Sequence, residues 1–182
     1  MFSKGSGLQE LVNLKDWQKI QDSFSEVLEL SLVTVSLDAK LLTRVSRPNR
    51  LCSEIIPKIP SPSSCYANCI LLKENKQKPI DLTGQTRLQC SFDLNLFLAP
   101  ITAVGDQAIA YMLIGPVFLN RRKEPAEYIK EAKSLGIELE ALMDVLIDIN
   151  VFSYNKICSV IAMVRDNFSH IARTGYQKKR LG

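Results

Sequence analysis

The chain predicts an α+β domain: an antiparallel sheet with helices packed on one face, ending in a long C-terminal helix. Three observations carry this. Two long apolar runs within Thr86–Phe118 flank Val104-Gly105-Asp106-Gln107, and Gly105 and Asp106 tolerate the positive φ of a tight turn. Apolar residues recur at helical spacing at both ends of the chain. The predicted strands follow one another without intervening helices, so they pair antiparallel.

The length of 182 residues suits one sizeable domain, and 46% hydrophobic with 23% charged residues is ordinary for a folded chain. The organisation read from it is an N-terminal arm (1–12), a main folded domain (13–172) and a basic tail (173–182). No apolar run reaches the length that crosses a bilayer, and no uninterrupted apolar stretch follows Met1–Gly7, so no membrane segment or signal peptide is expected and a cytoplasmic location is. The net charge is +4. Arg173, Lys178, Lys179 and Arg180 supply that excess after the last acid, Asp166, and leave the body neutral. A neutral body argues against direct nucleic-acid contact, which needs a basic face.

Asn13 caps a helix predicted over Leu14–Leu30, with Trp17, Ile20, Phe24, Val27 and Leu28 on one face. Ser31–Val45 changes to a period of two and reads as a hairpin around Asp38-Ala39-Lys40. Pro48, Pro57, Pro60 and Pro62 exclude long regular structure in the next stretch, where Asn49–Ile56 and Ser63–Lys73 can make short helices. Glu74–Thr86 reads as a loop. In the central hairpin, Leu94, Leu96 and Leu98 alternate with Asp93, Asn95 and Phe97, as on a strand with one wet face, before the run turns wholly apolar. Pro125 opens a helix that stops at Gly136, Glu138–Ile149 makes another, and Ser153 caps the last. In that last helix Ile157, Val164 and Ile171 stand at heptad spacing, which allows a dimerising or signalling helix.

Particular residues in order and spacing link the chain to a known family. Cys52 begins Cys-Ser-Glu-Ile-Ile, Cys65 follows, and Cys90 stands ten residues before Pro100-Ile101. Gly115-Pro116-Val117 ends the second hairpin strand, and Leu135-Gly136-Ile137 precedes an acidic helix. On these features, over Leu8–Val164, the chain resembles the PocR family of bacterial sensory domains, whose fold is PAS-like. Two departures stand out. The family often has Cys-His-x-Gly-Leu where this chain has Cys90-Ser91-Phe92-Asp93-Leu94, and Cys69 is an addition. The resemblance implies sensing of a small molecule, with simple diols and related hydrocarbon derivatives as the class. It also implies an output module such as an AraC-type DNA-binding domain, a histidine kinase or a diguanylate cyclase.

Cys52, Cys65, Cys69 and Cys90 leave three readings open. Four thiolates can hold an iron–sulfur cluster or zinc, the thiols can line a ligand pocket, or they can simply pack. The spacing is neither a zinc-ribbon nor a ferredoxin pattern. Cys158, beside Ile157, reads as core. With no metal-protease, phosphate-loop or serine-nucleophile motif and a lone histidine, His170, no catalytic residue is assigned and an enzyme is not expected. Trp17, Cys90, Asn95, Phe97 and Tyr111 are the candidate ligand-binding residues. The expected function is therefore sensing of a small-molecule ligand, with the signal passed through the C-terminal helix, a homodimer formed on that helix, and an output module as partner. The rivals are a redox, oxygen or metal sensor built on the four cysteines, and a ligand-free partner-binding module.

Overall fold

The structure is a computed structural model that describes residues 7–58 and 86–181. Its elements are α1 (Leu14–Leu28), β1 (Leu32–Val35), β2 (Arg87–Gln89), β3 (Asn95–Thr102), β4 (Ala108–Leu119), α2 (Pro125–Ser134), α3 (Leu139–Leu146), β5 (Val151–Phe152) and α4 (Tyr154–Leu181). The architecture is mixed α+β, with a five-stranded sheet and a long C-terminal helix.

The sheet is built on the predicted hairpin. β3 and β4 pair antiparallel from Asn95↔Val117 to Thr102↔Ala108, turning at Gly105 with φ +58°. β2 extends the sheet beyond β3, and β1 lies on the other side of β4 with Leu32↔Ile114 to Val35↔Tyr111. β5 adds a two-residue parallel pairing at the end of β4. The expected hairpin at Ser31–Val45 is reduced to an irregular one: isolated bridges at Val35↔Leu41 and Leu32↔Ser46, with Leu42 N and Thr43 N both donating to the Thr34 carbonyl between them. The main partner of β1 is β4, almost eighty residues away, which no local pattern reveals.

Alternation along the strands gives each face its own core. On one face, Leu32, Phe97, Ala99, Ile101, Met112 and Ile114 pack with Trp17 of α1 and with Ile157, Val164 and Phe168 of α4. This is the expected helical layer. The opposite face, called inner below, is also covered. There Val33, Val35, Leu96, Leu98, Tyr111 and Leu113 pack with Tyr128 and Ala132 of α2, Leu142 and Leu146 of α3, and Leu51 and Ile56.

This double cover corrects the expected wet face of β3. Asn95 and Phe97 are 2% and 4% exposed. Asn95 tolerates burial because its amide is engaged at both ends: Arg87 Nε donates to Oδ1 at 2.7 Å, and Nδ2 donates to the Asp93 carbonyl at 3.0 Å. β4 bends where Gly115 (φ +116°) shifts its register against β3, and a Cβ there would stand 2.8 Å from the Asn95 carbonyl. Only glycine fits both the angle and the approach.

The helices follow their predicted caps. Asn13 Oδ1 accepts from Lys15 N at 2.9 Å, and Ser153 Oγ accepts from Lys156 N at 3.2 Å. Glu124 N donates to Glu127 Oε2 at 2.8 Å beside Pro125, and Gly136 (φ +68°) ends α2. α1 stops two residues before the predicted Leu30, at a left-handed Glu29. Val27 is exposed rather than inward, and the fully buried stripe of α1 is Trp17, Gln21 and Ser25. Cys158 is likewise exposed: one step from Ile157 is about 100° around α4, which turns it away from the sheet.

Candidate functional site on the inner sheet face

The irregular stretch that follows the return segment becomes the cover of the inner face. Asn49 Oδ1 accepts from Cys52 N at 3.0 Å and starts a wide helical turn at Leu51–Ile55, continued by a tighter turn at Ile56–Lys58. Leu51 and Ile56 enter the inner core from this segment. Arg50 ties it to α3 and the turn after it, with Nη2 at 2.9 Å from Asp144 in the helix and Nη1 at 3.4 Å from Asp148 just beyond its end. Helix α3 thus holds the cover by an exposed, multivalent ion pair, an attachment that can yield without disrupting the core. The second predicted short helix, Ser63–Lys73, and the loop up to Gln85 lie outside the described residues.

Beneath the cover the sheet presents an aliphatic surface with a few polarizable or polar groups. Cys90 and Tyr111 belong to this core, 9% and 6% exposed. Cys52 is buried on the covering turn. Two tyrosines enter the same core. The Tyr128 hydroxyl accepts from Lys123 N at 3.1 Å, and burial pushes its pKa up against that bond. The Tyr111 hydroxyl makes no hydrogen bond to a described residue.

The lip of this core is a constrained turn. Phe92 and Asp93 both adopt left-handed backbone, φ +62° and +60°. Two partners hold it: Glu131 Oε1 of α2 accepts from Phe92 N at 2.9 Å, and Lys123 Nζ lies 2.7 Å from Asp93. The Asp93 carboxylate correspondingly raises the Lys123 pKa through that hydrogen bond. Asp93 stands where the family often has glycine, at a position whose angle glycine adopts freely.

The five candidate ligand residues divide between the faces. Cys90 and Tyr111 both face the inner core, Cys90 beside Leu94 at the start of β3 and Tyr111 opposite Pro100 near its end. Trp17 and Phe97 lie in the core beneath α1 and α4, and Asn95 orients Arg87 at the β2–β3 edge. Of the four candidate metal ligands, Cys52 and Cys90 are buried, while Cys65 and Cys69 lie outside the described residues. Among the described residues no three His, Cys, Asp or Glu side chains converge as a metal site. His170 lies exposed on α4, on the other side of the sheet.

Sequence reasoning missed a buried polar network. Gln21, fully buried, donates through Nε2 to the Leu32 carbonyl at 3.1 Å and Ser46 Oγ at 2.8 Å. Its Oε1 accepts from Thr34 and Thr43 hydroxyls, each at 2.8 Å. The only available signal was a glutamine in the middle of an apolar stripe.

A family model for the sensory domain found in PocR matches residues 10–176. The chain belongs to the PocR sensory-domain family. This PocR domain takes up nearly the whole chain, and its matched span includes the cover segment, the hairpin and most of α4. Comparison with curated proteins and with solved structures returned no match. No helix among the described residues is long and apolar enough to cross a membrane. Membership makes this a sensory domain rather than a member of an enzyme family.

Proposed function

We propose that this PocR domain senses a small organic ligand of the diol-like hydrocarbon class on the inner sheet face, under residues 51–58. The observation that carries the proposal is Tyr111, a member of the aliphatic inner core whose hydroxyl makes no hydrogen bond to a described residue. A mostly apolar surface with a few convergent polar groups is what a small, partly polar ligand needs. Cys90 in the inner core and Cys52 on the covering turn add soft, polarizable side chains to this side of the domain.

The signal passes to α4 through the sheet. β3 and β4 carry the inner core on one side and hold α4 on the other, where Thr102 N donates to Ser169 Oγ at 3.1 Å. The ligand shifts the domain toward whichever cover and helix arrangement it binds better, and an output module reads α4. Ile157 and Val164 of the heptad are fully buried inside the chain, so a homodimer on α4 uses another stripe, which includes the exposed Met163.

Isothermal titration with a panel of short diols tests the ligand class. A saturable heat that weakens about tenfold in Tyr111→Phe, for one lost hydrogen bond to a buried ligand, is the expected result. Equal binding by the variant removes Tyr111 from the site, and no heat from any diol removes the class.

A second reading rests on Cys52 and Cys90 both being buried on the segments that border the inner face. Here they join Cys65 and Cys69 to hold an iron–sulfur cluster or zinc, and the domain reports redox state or metal. Metal and sulfide analysis of protein purified without oxygen separates the two readings. Under this one, Cys52→Ser and Cys90→Ser each lose the metal.

A further inference from the structure

A second site lies on the other side of the sheet, where β2, β3 and the end of β4 form a half-enclosed polar groove of about 240 Å³. Arg87, Arg121 and Lys123 bring three cations to it. Two of them already have counter-ions: Lys123 Nζ is 2.7 Å from Asp93, and Arg121 Nη1 is 3.6 Å from Glu127. Arg87 has none among the described residues. Among the described residues its side chain's polar partner is Asn95, whose Oδ1 accepts from Nε at 2.7 Å.

That bond makes the arrangement a built one. Asn95 is itself 2% exposed and is fixed by its second bond to the Asp93 carbonyl. It therefore sets the plane of the guanidinium. With Nε engaged, the two Nη groups of Arg87 remain as a fork of donors, the geometry that receives a carboxylate or phosphate. Gln89, two residues along the same strand face, adds an amide donor to the groove.

We propose that this groove binds a compact anion, the carboxylate or phosphate group of a small molecule, with Arg87 as the anchor and Arg121, Lys123 and Gln89 as secondary donors. Arg87, Gln89 and Asn95 alternate with inner-core Leu88 and Leu96 and so project from the face opposite Tyr111, while Lys123 and Asp93 also hold the turn at the lip of the inner core. Loss of anion binding in Arg87→Gln with diol binding kept tells the two sites apart. An anion held there links β2 to the end of β4.

Titration of ¹⁵N-labelled protein with inorganic phosphate and, separately, malonate tests this, with sodium chloride at equal ionic strength as reference. Saturable shifts of the Arg87 Nε–H and the β2 amides are expected; the affinity read from the β2 amides falls about tenfold or more in Arg87→Gln and is unchanged in Lys130→Gln, an exposed control of equal charge change. Arg121→Gln, at a 69% exposed side chain, gives a smaller loss and serves if Arg87→Gln folds poorly. Preference between phosphate and malonate assigns the ligand group. Shifts matched by chloride, or equal losses in Arg87→Gln and Lys130→Gln, overturn the site.

Discussion

The indole N–H of Trp17 donates to Thr34 Oγ1 at 2.8 Å, so α1 is hydrogen-bonded side chain to side chain with the strand beneath it. The same indole meets the ring of Phe168 edge-on, 4.8 Å between centroids. Trp17 therefore joins α1, β1 and α4 at one point, and its amphipathic ring suits both contacts. Trp17→Phe keeps the ring stacking and loses the bond and some volume. It should lower stability in urea by about 2 kcal/mol with the fold retained. An unchanged unfolding midpoint would remove Trp17 from this role.

Gln21 completes that junction. Truncation leaves the hydroxyls of Thr34, Thr43 and Ser46 without a shared partner in a space closed to bulk water. Gln21→Ala should cost about 3 kcal/mol, more than an ordinary surface glutamine, and the loss should be larger than that of Gln18→Ala. Parallel urea titrations of the two variants decide it.

Gly175 on α4 marks where the start of the chain lies across the last helix. A Cβ there would stand 2.1 Å from the Leu11 carbonyl oxygen. Leu8 is fully buried beside this contact, and Lys179 pairs with Glu10 at 3.2 Å. Alanine favours a helix by about 1 kcal/mol over glycine, so a merely helical role predicts stabilisation of Gly175→Ala. The packing predicts the reverse: faster amide exchange at residues 8–12, a lower Tm and undiminished helix content.

The turn at residues 36–40 carries a pH dependence. The Lys40 ammonium and then the Ser36 hydroxyl hold the Asp38 carboxyl below its ordinary value of 3.8. Its contribution is complete above that value and is lost as the pH falls through the lowered native one. Amide exchange at residues 36–42 should accelerate in that acid window, and Asp38→Asn should abolish the acceleration. Identical pH profiles in both proteins would contradict the linkage.

Much of this was legible locally. The Gly105 turn, the Pro125 start, the Gly136 stop and the Ser153 cap each depend on a few adjacent residues, and each stands where the sequence put it. What escaped was long-range. The pairing of Leu32–Val35 with Tyr111–Ile114 leaves no mark within either segment, so β1 was read with its nearest neighbour. Asn95 reads as a wet-face residue by polarity and Gln21 gives no local sign of its network, whereas the burial of each depends on partners distant in sequence. The candidate site shows the same division. Cys90 and Tyr111 share the inner core because strand alternation and register put them there, and the same alternation carries Phe97 to the other side. Asp93 was noted as a departure from the family's glycine, but only its φ of +60° explains why glycine is common there.

Hydrogen exchange with and without saturating ligand tests the central claim most directly, using whichever diol gives the largest heat. The account predicts slowed exchange in residues 51–58 together with altered exchange along α4, and loss of both effects in Tyr111→Phe. Bound ligand that leaves residues 51–58 and α4 exchanging as in the free protein would contradict both the location of the site and the route of the signal.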